Sequence, residues 1–305
     1  MLDLVILGGS IAGVTAAVYG QRRNLNLKLI TPEIGGEIAT TTDIENWPGE
    51  NSISGWDFSQ KLHQQLQYNK IPVDLGWAAT KIEKVNDGFS ITIKNLSGEE
   101  KTEIARAVIV ATGATPRLLQ VEGEKDFFHK GVTYCATCDA PLFKNKITAV
   151  VGGGNSALTS ALMLAEIASE VTLLNINADF RGESVLIDKV KNHPKIKILS
   201  EVKVQKINGE KMVQSLNYSD KNGIEHTLPV QGIFVNIGLR ANADFIDLVE
   251  KNPWGEIKTD RAGCTNVPGF FAAGDVTDVP YKQIVIAGGS GSLAALSAID
   301  FLNQK

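Results

Sequence analysis

Cys135 and Cys138 stand two residues apart, and Asp139 follows the second directly. Thiols at that spacing can close a small disulfide ring and reopen it by thiol–disulfide exchange, with a thiolate as the nucleophile. A carboxyl beside them is placed to move a proton as the dithiol forms; the other reading of Asp139 is an N-terminal helix cap. A glycine-rich turn lies on each side of the pair, Gly8-Gly9-Ser10-Ile11-Ala12-Gly13 before it and Gly152-Gly153-Gly154-Asn155-Ser156-Ala157 after it. Such turns bring backbone N–H groups and a helix N-terminus to a pyrophosphate. Two bound nucleotides would supply the electrons that open the disulfide, so the combination points to flavin-linked disulfide reduction.

The first turn predicts dinucleotide binding at Gly8, Ser10, Ile11, Ala12 and Gly13, with the small Ser10 in place of the usual middle glycine. Glu33, 20 residues beyond Gly13, is spaced to accept from a ribose hydroxyl. Gly274 and Asp275 end an apolar run, where an acid suits a flavin polyol. A helix starting after Lys282 and Gln283, at Ile284, would aim its positive end at the flavin ring and favour the anionic reduced form. The second turn fits G-x-G-x-x-A and predicts nicotinamide dinucleotide contacts at Gly152, Gly154, Asn155 and Ser156. Asn175, 21 residues after Gly154, stands where the adenosine ribose is read, and Arg181 is the one arginine in the following loop. Arg181 reads equally as a solvated loop residue. Cys264 lies outside every motif and reads as a small apolar residue.

The elements that must position these residues are legible as well. Residues 4–7, 11–23 and 27–30 read as strand, helix, strand, and residues 147–151, 155–167 and 171–174 repeat the pattern. Strands are expected at 89–93, 105–110, 233–237 and, with a tight end, 270–275, and a final helix at 284–302. The predicted class is α/β with two Rossmann-like dinucleotide-binding domains, the second inserted into the first. The expected boundaries are 1–113 and 243–305 for the FAD domain and 114–242 for the NAD(P) domain that carries the cysteine pair.

The chain has 305 residues, enough for two cores, and its 43% hydrophobic and 21% charged residues are ordinary for a globular protein. A net charge of -4 argues against nucleic-acid binding through phosphate neutralisation. No basic leader with a cleavage site is visible. The apolar run at 284–299 is interrupted by Gly and Ser and reads as a buried helix, not a membrane span. The expected setting is the cytoplasm, where a C-x-x-C is more often catalytic than structural. Three cysteines without a nearby histidine partner predict no metal site.

With these residues in hand, the chain resembles low-molecular-weight thioredoxin reductase over nearly its whole length. The resemblance is carried by Asp43-Ile44-Glu45-Asn46-Trp47-Pro48-Gly49, Val110-Ala111-Thr112-Gly113-Ala114, Cys135-Ala136-Thr137-Cys138-Asp139, the second glycine turn, and Val267-Pro268-Gly269-Phe270-Phe271-Ala272-Ala273-Gly274-Asp275. Val279-Pro280-Tyr281-Lys282-Gln283-Ile284 looks closer to the flavoprotein subunit of alkyl hydroperoxide reductase, which carries an extra N-terminal thioredoxin-like module; this chain is expected to begin at the flavin fold. The resemblance adds Gly36, Asn46, Thr112 and Gly113 to the expected flavin site. It implies a homodimer in which NADH or NADPH reduces FAD, FAD reduces the disulfide, Cys138 faces the flavin and Cys135 attacks a thioredoxin-like partner while the domains rotate between two arrangements. The family's NADPH signature is a histidine and two arginines, three residues, then an arginine. Here Asn175, Ile176 and Asn177 stand in the first three places and only Arg181 matches. NADH, NADPH, ferredoxin and a deazaflavin are therefore all open as donor. A flavin dithiol oxidase and a flavin-binding redox sensor are the competing functions.

Overall fold

The computed structural model describes residues 1–40 and 43–304; the side chains of Thr40 and Asp43 lie outside the described set. The chain divides into two compact units. One is built from Met1–Thr115 with Arg240–Lys305, the other from Pro116–Leu239. The second is thus inserted into the first, and both carry the expected dinucleotide fold.

In the first unit the strands run in the order Val73–Leu75, Leu27–Ile34, Leu2–Gly9, Glu100–Val110, Gly88–Asn95, Trp77–Val85. Phe270–Ala272 joins in parallel beside Glu100–Val110. Leu4, Val5, Ile6 and Leu7 are all buried, as an unbroken apolar run must be when a parallel strand is covered on both faces. That strand pairs in parallel with its neighbours on either side, Leu4 opposite Leu27 and opposite Ala107. Helix α1, Ile11–Gln21, follows it, and α2 is Gly55–Tyr68. The small residues of α1 find their reason in the last helix: a Cβ on Gly291 would stand 2.2 Å from the carbonyl oxygen of Ala12. The two helices approach too closely for larger side chains.

The second unit centres on a parallel sheet ordered Val132–Thr133, Gly232–Val235, Ile147–Val151, Glu170–Asn175, Ile196–Ser200. It carries the four-residue α3, Ala136–Asp139, then α4, Asn155–Ile167, and α5, Ser184–Lys191. A three-stranded antiparallel sheet, Lys203–Gly209, Val213–Ser219 and Glu225–Pro229, covers a second core.

The last helix, α6, is Ile284–Asn303. It is long and apolar enough to cross a membrane by length and composition. Its Ala287, Gly288, Gly291, Ala294, Ala295 and Ala298 are buried within the first unit. Observed bounds differ from the expected ones at the ends. The first helix stops at Gln21 because Asn24 turns the chain with φ 54°, and the strand expected at 233–237 ends at Val235.

Candidate functional site

In the first unit, the strand Leu2–Gly9 hands over to α1 at Ser10, the N-cap, whose side chain makes no capping bond. The turn needs its glycines. Gly8 has φ +119°, and a Cβ there would lie 2.2 Å from the Ala111 oxygen. A Cβ on Gly13 would lie 1.9 Å from the Gly8 oxygen. The first-turn N–H groups of α1 have no partners four residues earlier in the helix, and they present the positive end of its dipole. Gly36, with φ +56°, brings its backbone beside Ser10: a Cβ there would be 3.5 Å from the Ser10 Cβ. Glu33 is exposed near the end of its strand. Burial, then the Glu33 and Asp275 carboxylates, push the Glu37 carboxyl above its ordinary range.

Asp275 is the sharpest feature of this unit. Its Oδ1 is buried without a hydrogen-bond partner. Burial raises its pKa from 3.8 to about 6, with Lys282 opposing the rise. An orphaned carboxylate oxygen is unfavourable unless a hydroxyl reaches it, which a flavin polyol would do. The crowded turn, the open helix end and this oxygen are features that would fit FAD, and Gly8, Ser10, Ile11, Ala12, Gly13, Glu33, Gly36 and Gly274 are the residues that could hold it.

Gln283 is the N-cap residue of α6, and its Oε1 accepts from Asn46 Nδ2 at 3.1 Å, which joins two expected site residues 237 positions apart. Thr112 follows Ala111 beside Gly8, and Thr112 and Gly113 are clamped by Asn242, a residue the sequence did not flag. The Thr112 hydroxyl donates to the Asn242 oxygen at 2.7 Å, Asn242 Nδ2 donates to the Thr112 oxygen at 3.0 Å, and the Asn242 N–H donates to the Gly113 oxygen at 3.0 Å. Lys282 is less open than expected. Its Nζ pairs with Glu256 at 3.0 Å and donates to the Thr277 oxygen at 2.5 Å, so it fastens the segment before α6.

In the second unit, Gly152 has φ +149°, and a Cβ there would be 2.2 Å from the Asn236 oxygen. Gly154 is the N-cap of α4, and the space where its Cβ would stand is open. Ser156 lies in the first turn of α4. The Arg181 N–H donates to the Gly153 oxygen at 2.7 Å, which sets this loop beside the turn with the Arg181 side chain exposed. Asn175 corrects the sequence reading. It is 0% exposed; its Nδ2 donates to the Asp179 oxygen at 3.0 Å and its Oδ1 accepts from the Asn177 N–H at 3.2 Å. With one donor and one acceptor engaged in the loop and the side chain fully buried, it shapes the loop and presents no surface to a ribose. Asn155 is also engaged, its Oδ1 accepting from the Glu183 N–H at 2.8 Å.

Cys135 and Cys138 form a disulfide, with Cα atoms 5.3 Å apart. Cys135 is the N-cap of α3, and its Sγ accepts from the Cys138 N–H at 3.2 Å. A thiolate at 135 would thus keep a backbone donor. Asp139 closes α3 and makes no capping bond, so the capping reading does not hold. Its Oδ2 instead accepts from the Thr133 hydroxyl. Just before the pair, the Tyr134 hydroxyl donates at 3.1 Å to Glu124, a carboxylate 1% exposed that also accepts from the N–H groups of Leu119 and Gln120 at 2.8 Å each. Burial, then this carboxylate, drives the Tyr134 pKa far upward.

Residues 2–291 match the model of the pyridine nucleotide-disulphide oxidoreductase family. Among curated proteins, the flavoprotein subunit of alkyl hydroperoxide reductase from Staphylococcus aureus is 40% identical over 98% of this chain, and this chain spans 59% of that relative's length. Among solved structures, thioredoxin reductase from Streptococcus pyogenes superposes with a TM-score of 0.87 at 32% identity, covering 100% of this chain and 99% of that one. Thioredoxin reductase from Giardia duodenalis gives 0.87 at 33% identity, covering 99% of each. The chain belongs to the pyridine nucleotide-disulphide oxidoreductase family, whose thioredoxin reductase members use FAD and NAD(P)H.

Proposed function

We propose that this enzyme reduces the disulfide of a small thioredoxin-like protein through Cys135 and Cys138. The observation that carries this is the closed Cys135–Cys138 disulfide with the Cys138 N–H on the Cys135 sulfur. FAD, when bound, would supply the electron pair that opens the disulfide. The chain's own residues then do the exchange. The Cys135 thiolate, favoured by the backbone N–H, attacks one sulfur of the partner's disulfide, and the electron pair of that bond leaves with the partner's other sulfur. The Cys138 thiolate attacks the resulting mixed disulfide, restores Cys135–Cys138 and releases the partner as a dithiol. Asp139 takes the proton that a thiol gives up as its thiolate forms.

The donor is a nicotinamide dinucleotide, with NADH at least as good as NADPH. The kept second glycine turn supports this over ferredoxin, a deazaflavin or a dithiol oxidase. A cytoplasmic setting suits a working dithiol. A second copy of the chain is the expected assembly partner: along α6, Val285, Leu293 and Leu296 are 39–48% exposed on one face, an apolar stripe of the kind that a homodimer covers. The 40% identity to the alkyl hydroperoxide reductase flavoprotein favours a second reading, in which the thioredoxin-like acceptor feeds a hydroperoxide reductase.

Cys138→Ser tests the function. The variant should keep its FAD and let a nicotinamide bleach it anaerobically, yet fail to turn over with thioredoxin. It should also trap a mixed disulfide at Cys135, visible by mass spectrometry. Full reductase activity in this variant would remove the assignment.

A further inference from the structure

We propose that Thr133 is a positioning residue for proton transfer at the redox pair: its hydroxyl ties the Asp139 carboxylate and the Cys135 N–H into one network. This inference rests on the disulfide-reductase reading above. Thr133 ends the strand Val132–Thr133, which is held in parallel register by Ile233 and Phe234. It is 5% exposed. Its Oγ1 accepts from the Cys135 N–H at 3.3 Å and donates to Asp139 Oδ2. The direction is forced. An N–H only donates and an ionised carboxylate only accepts, so the single hydroxyl proton goes to Asp139. When Asp139 is protonated, the same oxygen still has a lone pair for the carboxylic O–H. The node therefore serves both states of an acid that must take and give a proton.

Among the described residues, the elements packed most closely against α3 are the short turn Ala140–Phe143 and α4. The first has no titratable residue, and α4 has one, Glu166, near its far end. On the other side of Thr133, Tyr134 has its hydroxyl committed to Glu124. The strand fixes Thr133, Thr133 fixes the carboxyl, and the carboxyl lies one residue from Cys138.

The test reads a proton, not turnover. A water-soluble phosphine opens the disulfide in the flavin-loaded protein. Phosphorus bonds to one sulfur, the S–S bond breaks, and the electron pair leaves with the other sulfur, which takes a proton. Water then converts the adduct to phosphine oxide and frees the second thiol. The rate is divided at each pH by that for a linear peptide disulfide, which removes the reagent's own titration. In the wild type the ratio should fall as Asp139 loses its proton, and in Asp139→Asn the fall should vanish. Thr133→Val keeps the branched shape and removes the hydroxyl. An ionised carboxyl without its donor binds a proton more tightly, so the fall should move to higher pH. Thr133→Ser should restore the wild-type midpoint, which a lesion of folding would not. If Asp139→Asn abolishes the fall while Thr133→Val leaves its midpoint in place, the proposal is overturned and the role of Asp139 survives. If Asp139→Asn leaves the fall unchanged, both are overturned, and the reductase assignment still stands or falls on Cys138→Ser.

Discussion

The electron donor is where charge makes the clearest forecast. NADPH differs from NADH by a 2′-phosphate that carries nearly two negative charges, and arginine forks are its natural partners. The loop that follows Asn175 offers one such group, the exposed Arg181, held beside the glycine turn by its N–H bond to Gly153. Asp179, two residues before it, and Glu183, two after, both oppose an added anion. A site lacking two charge-assisted hydrogen bonds forgoes on the order of 3 kcal/mol, roughly a hundredfold in affinity. Burial of Asn175 removes the amide that the sequence offered to NADH, so the forecast now rests on the missing cations alone. We expect kcat/KM for NADH to equal or exceed that for NADPH. Asp179→Arg replaces a repelling charge with an attracting one on an exposed side chain and should raise the NADPH-to-NADH ratio by about tenfold, the worth of one charge-assisted bond. Arg181→Ala should lower the ratio. Steady-state kinetics with both dinucleotides check all three. A wild-type preference for NADPH of tenfold or more would refute the reasoning and place a basic contact elsewhere. Failure of both dinucleotides would move the donor to ferredoxin or a deazaflavin.

Three further outcomes follow from the geometry. Gly13→Ala would put a Cβ 1.9 Å from the Gly8 oxygen, in a strand paired on both sides, so relief must come from the turn itself; it should cost roughly 1–3 kcal/mol and yield protein with most of its FAD lost, read from the absorbance ratio after purification. Asp275 binds its proton more tightly folded than unfolded, so the stability it contributes is full below about pH 4 and is lost as pH rises through about 6. Asp275→Asn should therefore gain on the order of 2–3 kcal/mol over wild type above pH 7 in the flavin-free protein, with no gain at pH 4, while binding FAD more weakly; equal gains at both pH values in thermal melts would show that the carboxylate is not the source. Cys264→Ala should keep turnover and flavin content within about twofold: burial, then Asp260, raise the Cys264 pKa, which leaves its thiol a poor nucleophile.

How far the sequence could be read depended on what each residue answers to. The glycine turns were legible because backbone sterics impose them: at Gly8, Gly13 and Gly152 any side chain meets a carbonyl oxygen, and that constraint is local in the chain. The cysteine pair was legible because its ring closes over two intervening residues. Asn175 was misread for a reason that is also local. An asparagine after a strand can reach a ligand or fold back on the loop, and here Oδ1 takes the N–H two residues on, the habit of asparagine in turns. Asn242 was not readable at all, since it acts on Thr112 from 130 positions away. Neither was the bond from Asn46 to Gln283, which exists only once α6 has packed on α1. Thr133 belongs between these cases. It sits six residues from Asp139, close enough to be noticed, yet a threonine in a strand has a sufficient reason in its branched side chain. Its hydroxyl gains a role only when the turn of α3 brings the carboxyl back over the strand end. Chemistry set by spacing shows in the sequence; chemistry set by where a chain returns does not.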